Sequence, residues 1–167
     1  DAASDIGFGF GGKAAFEVEK NLFFGVAADW TNHDVDDPGE VAGANQLDQI
    51  ADYDRVNFLF TVDYDIPLWK DDRAPIFRFG AATGLNWAKF SEREESINRF
   101  ESFFSWVFRP VVGLRVPISD NFLLFTELSY DFVPERSLET TETAAVRGQR
   151  PIFSAGGIWV GVAFQFD

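Results

Sequence analysis

Residues 55–66 read Arg55-Val56-Asn57-Phe58-Leu59-Phe60-Thr61-Val62-Asp63-Tyr64-Asp65-Ile66. Every even position is aliphatic or aromatic, and every odd position except Leu59 is polar or charged. Successive side chains of a strand point to opposite faces, so this alternation predicts a strand with one apolar and one polar face. It also runs for about twice the length of an ordinary soluble strand.

The same rhythm extends in both directions. Upstream, Ile6, Phe8, Phe10, Ala14, Phe16 and Val18 alternate with Gly7, Gly9, Gly11, Lys13, Ala15, Glu17 and Glu19. Lys20-Asn21 then reads as a tight turn into Leu22, Phe24, Val26, Ala28 and Trp30, which alternate with Gly25, Ala27 and Asp29. Downstream, Phe77, Phe79, Ala81, Leu85 and Trp87 oppose Arg78, Gly80, Ala82, Gly84 and Asn86. Phe104, Trp106, Phe108, Val112, Leu114 and Val116 oppose Ser105, Arg109, Gly113 and Arg115. Phe122, Leu124, Leu128, Tyr130 and Phe132 oppose Glu127, Ser129 and Asp131, and the last run carries Ile158, Val160, Val162, Phe164 and Phe166. The pattern predicts seven long strands, no helix, and one domain spanning residues 1–167. Pro110, in mid-strand, removes a ladder donor and predicts a bulge or a strained spot.

Short connections (Lys20-Asn21, Leu68–Ala74, Ser119–Asn121) alternate with long polar ones (Asn32–Asp54, Ser91–Ser102, Pro134–Arg150). That asymmetry is typical of an up-and-down transmembrane β-barrel. The polar face points the same way, because it is rich in Gly and Ala. A solvated strand face carries few glycines, whereas the crowded interior of a barrel of about eight strands needs small residues. On that face Arg55, Arg78, Arg109, Arg115, Glu127 and Asp131 form a predicted interior ion-pair network, either a structural plug or a pore lining. On the other, Phe58, Phe60, Phe77, Phe79, Trp106, Phe108, Phe164 and Phe166 are predicted to face lipid. Trp30, Trp69, Trp87, Trp106, Tyr64 and Tyr130 sit towards the ends of their runs, as interface girdles do, while Trp159 falls on the inward register.

Composition narrows the function classes. The chain carries 14 Lys+Arg against 27 Asp+Glu, a net charge of −13, which argues against nucleic acid as a partner. It has no Cys, which excludes disulfides and thiol chemistry, and a single His33, which leaves little for a metal site. His33 lies between Asn32 and Asp34 with no Ser within two positions, so it reads as a solvated loop residue and not as a catalytic base. The segment 34–45 places Asp34, Asp36 and Gly39 like a calcium loop but has Asn45 where the closing Glu belongs. No cofactor, no metal site and no enzymatic activity are expected.

The alternation, the connection rhythm and the closing Ile158-Trp159-Val160-Gly161-Val162-Ala163-Phe164-Gln165-Phe166 resemble small outer-membrane β-barrels of Gram-negative bacteria, the OmpA/OmpX/OmpW-like group. The resemblance implies an integral outer-membrane protein whose expected partners are membrane lipid, lipopolysaccharide and other envelope proteins, with a structural or interaction role, as in a subunit of a larger envelope complex. In that group the last strand ends on an aromatic residue; here Phe166 is followed by Asp167. Such barrels have an even strand count, so seven strands imply either a first strand supplied by an upstream piece of the chain or by another polypeptide, or an irregular barrel closed by the segment 5–20; any export signal is expected to be already removed. Two other readings remain open: a narrow, porin-like channel for small hydrophobic solutes, and a soluble lipocalin-like barrel with Phe58, Phe60, Phe77, Phe79 and Phe108 lining a ligand pocket.

Overall fold

The computed structural model describes residues 7–35, 51–70, 73–92, 100–134 and 155–165. Among them it contains seven strands and no helix: β1 (Phe8–Glu19), β2 (Leu22–Val35), β3 (Ala51–Pro67), β4 (Ile76–Glu92), β5 (Phe100–Pro117), β6 (Phe122–Asp131) and β7 (Ala155–Phe164). Each pairs antiparallel with the next, giving one sheet in the order β1-β2-β3-β4-β5-β6-β7. The meander curls into a half-barrel, with the polar face on its concave side.

Local chemistry sets the turns. Lys20-Asn21 links β1 to β2, with Asn21 at φ 66°, a left-handed conformation that Asn tolerates better than most residues. The Asn21 amide donates to Glu17 Oε1 at 2.7 Å, and the Asn21 carbonyl accepts from the Asp65 amide at 2.9 Å, tying the turn to β3. At the opposite rim the strands run further than the sequence predicts. Asn32, His33 and Asp34 pair with Asp54, Tyr53 and Asp52, so His33 stands on a strand and not in a loop. The ladder amides satisfy the backbone there whatever the side chains carry, which a polarity pattern cannot report. The acidic stretch at 36–50, Ile152–Phe153 and Phe166 lie outside the described residues.

Pro110 does not make the predicted bulge. Phe108 pairs with Phe132 and Val111 with Ser129, so β5 and β6 hold a single register on both sides of it. The proline instead leaves a gap in the β5–β6 ladder, while the β4–β5 ladder continues unbroken through Ala81 and Pro110.

Tight curling brings neighbouring backbones close on the concave side, which accounts for the glycines there. A Cβ at Gly84 would run into the Phe58 carbonyl oxygen and lie 2.9 Å from its carbon and 3.0 Å from Leu59 Cα. Gly12, on the convex side, has nothing within 4 Å of such an atom. We therefore expect Gly84→Ala to destabilise the fold by about 1–3 kcal/mol, the usual cost of overpacking. Gly12→Ala should stay within ~0.5 kcal/mol of the parent. Denaturant titration of the two variants side by side checks the pair.

Candidate functional site: the enclosed polar face

Ladder register decides which inward residues meet. Gly11, Asp29, Asn57, Asn86 and Ser105 form one continuous row across β1 to β5. Their side chains make a hydrogen-bonded relay along it. Ser105 Oγ donates to Asn86 Oδ1 at 3.3 Å, Asn86 Nδ2 to Asn57 Oδ1 at 2.7 Å, and Asn57 Nδ2 to Asp29 Oδ1 at 2.7 Å. Asn57 and Asn86 are completely buried.

Arg109 closes this relay across the concave space. It is on β5, and its row-mates Ala82 on β4, Thr61 on β3 and Gly25 on β2 are small, leaving room for its long side chain. Its Nη1 lies 2.6 Å from Asp29 Oδ2 on β2, three strands away. Its Nε and Nη2 grip both oxygens of Asp131 on β6 at 2.5 and 2.9 Å. Arg55, on β3, reaches the same carboxylate from the far side, with Nη2 at 2.8 Å from Asp131 Oδ2, and its Nε donates to Thr31 Oγ1 at 3.3 Å. Two guanidiniums and two carboxylates thus neutralise one another in a buried quartet. Trp159 caps it from β7: its ring lies 5.7 Å from the Arg109 guanidinium carbon, and its Nε1 donates to Ser129 Oγ at 3.0 Å.

A second cluster sits nearer the short turns. Arg78, 1% exposed, binds Asp65 in a fork at 2.5 and 2.6 Å and lies 5.1 Å over the Phe23 ring. Lys13 Nζ stands 2.6 Å from Asp63 Oδ2, an ion pair rather than a directed hydrogen bond. Arg115 is held more loosely, at 3.8 Å from both Asp65 and Glu127.

All six residues of the predicted network therefore lie on the concave face, in two groups: Arg55, Arg109 and Asp131 in one, Arg78, Arg115 and Glu127 in the other. Lys13, Asp29, Asp63 and Asp65 share that face by alternation, as further charges available for pairing, and Asp29 supplies the quartet's second anion. The signal for Asp29 was its alternation phase, but a partner 80 residues away depends on the curl. Asn57 and Asn86 were visible only as polar inward positions.

Burial is inverted relative to a water-soluble domain. Among the described residues, eleven buried positions are polar or charged and eight are apolar, three of these being alanine. Phe58, Phe60, Phe77, Phe79, Trp106, Phe108 and Phe164 are all exposed on the convex face, Phe60 at 71% and Trp106 at 66%. Arg55 Nη1, Thr61 Oγ1 and Arg115 Nε are buried with no hydrogen-bond partner among the described residues. An apolar guest would strand them at about 1–3 kcal/mol each. The described residues hold no cluster of three or more metal-ligating side chains.

No family model, no curated protein and no solved structure matches this chain.

Removing one member of a buried ion-pair set costs far more than the pair contributes, because the partners stay buried and uncompensated. Arg109→Ala leaves Asp29 and Asp131 facing each other with only Arg55, and should destabilise the fold by roughly 3–5 kcal/mol. Arg115→Ala, which breaks only the two 3.8 Å contacts, should cost markedly less. Equilibrium unfolding of both variants checks the ranking.

Proposed function

We propose that this protein is an integral outer-membrane β-barrel, similar in kind to the small OmpA/OmpX/OmpW-like barrels, with a structural or interaction role and no catalytic one. The observation that carries the reading is the height of its apolar outer face. On β3 the exposed or half-exposed outward residues run from Val56 to Ile66. Ten residue steps cover about 33 Å along the strand, and a tilt of roughly 40° projects this to about 25 Å, the apolar band of outer-membrane barrels. Phe77 to Trp87 on β4 repeats the length. A water-soluble monomer rarely exposes an apolar patch above roughly 300–600 Å²; here the convex face of β3 and β4 between Val56 and Ile66 and between Phe77 and Trp87 is apolar except for Thr83.

Aromatic residues mark both margins of that face. Phe8 and Phe10 pack on Trp30 with ring centroids 5.6 and 5.4 Å apart, towards the long connections. Tyr64 packs on Phe79 at 5.5 Å and Phe122 on Phe164 at 4.9 Å, towards the short turns. Lipid hydrocarbon is the partner of the face between them. In sequence, the stretch from Asn32 to Asp54 carries seven carboxylates and no Lys or Arg. Divalent cations could bridge it to the anionic headgroups of lipopolysaccharide.

The direct pairing of Arg109 with Asp29 and Asp131 supports a plugged interior over a conducting one. A soluble lipocalin-like barrel would need the Phe58, Phe60 and Phe108 rings inside, opposite to their exposure. The full-length gene product, expressed in a Gram-negative host, is expected in the outer-membrane fraction, to need detergent for extraction, and to change gel mobility on boiling. In planar bilayers it should give no stable conductance steps. Recovery as a detergent-free soluble monomer would overturn the membrane reading, and stable ohmic steps would overturn the plug.

A further inference from the structure

Backbone pairing divides the sheet into two blocks. One comprises β1 to β5, with the β4–β5 ladder continuing through Ala81 and Pro110. The other comprises β6 and β7, paired from Phe122 to Asp131. Between the blocks, β5 and β6 form a ladder only from Val111 with Ser129 to Pro117 with Leu123, beside the short turn. Beyond Val111 one isolated pair follows. The Phe108 amide donates to the Phe132 carbonyl at 3.1 Å, and the Phe132 amide donates to the Phe108 carbonyl at 2.8 Å.

Pro110 accounts for the interruption. Antiparallel strands exchange both backbone bonds at every second pair. The register shared by the two sides places Arg109 opposite Asp131 and Pro110 opposite Tyr130. Two residues on from Phe108, the next donor on β5 would be Pro110, which has no N–H. The Tyr130 carbonyl therefore receives no bond from β5.

Side chains span the break in place of the backbone. On the concave side, Arg109 Nε and Nη2 fork onto Asp131 at 2.5 and 2.9 Å. Arg55, on β3, brings its Nη2 to 2.8 Å from Asp131 Oδ2. On the convex side, the Phe108 and Phe132 rings lie 6.3 Å apart. Asp131 is thus the point where two guanidiniums of the five-strand block take hold of the two-strand block. The bond from Arg109 to Asp29 is different in kind, because it lies wholly within the five-strand block.

We propose that Asp131 latches a seam between β5 and β6. The charge fork replaces the ladder bond lost at Pro110, and its release lets the β6–β7 hairpin part from β5 beyond Val111 while the five-strand block stays paired. The parting hinges on the ladder from Val111 to Pro117 and uncovers the concave polar face sideways, between two strands. It breaks one backbone pair and the contacts of Asp131, whereas separating β3 from β4 breaks a ladder running from Ala51 with Glu92 to Pro67 with Ile76. The seam is a property of sheet pairing and does not rest on the membrane reading.

Amide hydrogen exchange on the folded protein tests it. In the unaltered chain, the Phe108 and Phe132 amides should exchange at least about 10-fold faster than those of Thr83 and Phe60, which share their row on β4 and β3. Their exchange should also depend less on denaturant, because a local opening exposes little surface. Asp131→Asn keeps the shape of the side chain but turns an NH2 group towards the guanidiniums. It should speed exchange at Phe108 and Phe132 by a further 10–100-fold, roughly, and change Phe60 and Thr83 far less. Asp29→Asn removes the other carboxylate held by Arg109 and should speed all four amides alike, through global unfolding. Exchange of Phe108 and Phe132 only together with Phe60 and Thr83 in the unaltered chain overturns the proposal, and that measurement needs no variant to fold. Equal effects of Asp131→Asn and Asp29→Asn on the four amides overturn it as well.

Discussion

The guanidinium of Arg109 holds the concave side of this molecule together. It binds a carboxylate on β6, its neighbour in the sheet, and another on β2, three strands away, and the second contact exists only if the sheet is curled. Everything else on the concave face follows from that curl. Row-mates of Arg109 must be small, glycines must stand where backbones approach, and the Asn57–Asn86–Ser105 relay must supply the remaining hydrogen bonds to Asp29. Sheet curvature and charge pairing therefore stabilise each other.

This distribution of forces differs from that of an ordinary domain. A water-soluble fold gains most of its stability by removing apolar side chains from water, and here the large apolar side chains remain on the outside. Within the chain, cohesion rests on the ladder hydrogen bonds and on the paired charges. Buried ion pairs are weak stabilisers overall, but they are severe about geometry, since any unmatched member is costly. Such a set specifies one radius and one register. The apolar face contributes only when something apolar covers it, which links the stability of the fold to its surroundings.

Most of the architecture was legible in the sequence, because period-two alternation is a direct consequence of strand geometry and depends on nothing distant. The seven strands, the Lys20-Asn21 turn and the inward phase of Trp159 all came from that one regularity. Strand ends were less legible: Asn32, His33 and Asp34 look like a loop because the alternation stops, yet backbone pairing with Tyr53 and its neighbours carries the strand on. Pro110 was read correctly as a missing donor and wrongly as a bulge, since the ladder could skip it without shifting register. Within the polar face, adjacent-strand pairs such as Arg109 with Asp131 could be anticipated. The link from Arg109 to Asp29 could not, because it depends on the radius of the curl.

The central claim is that the convex aromatic face meets hydrocarbon while the polar face is enclosed. Single-tryptophan versions of the full-length protein, retaining either Trp106 or Trp159, can be placed in vesicles of lipids brominated along the acyl chain, and their fluorescence measured. The account predicts strong quenching of Trp106, exposed on the convex face, and little quenching of Trp159, stacked over Arg109. Strong quenching of Trp159 with Trp106 spared, or no quenching of either, would contradict it.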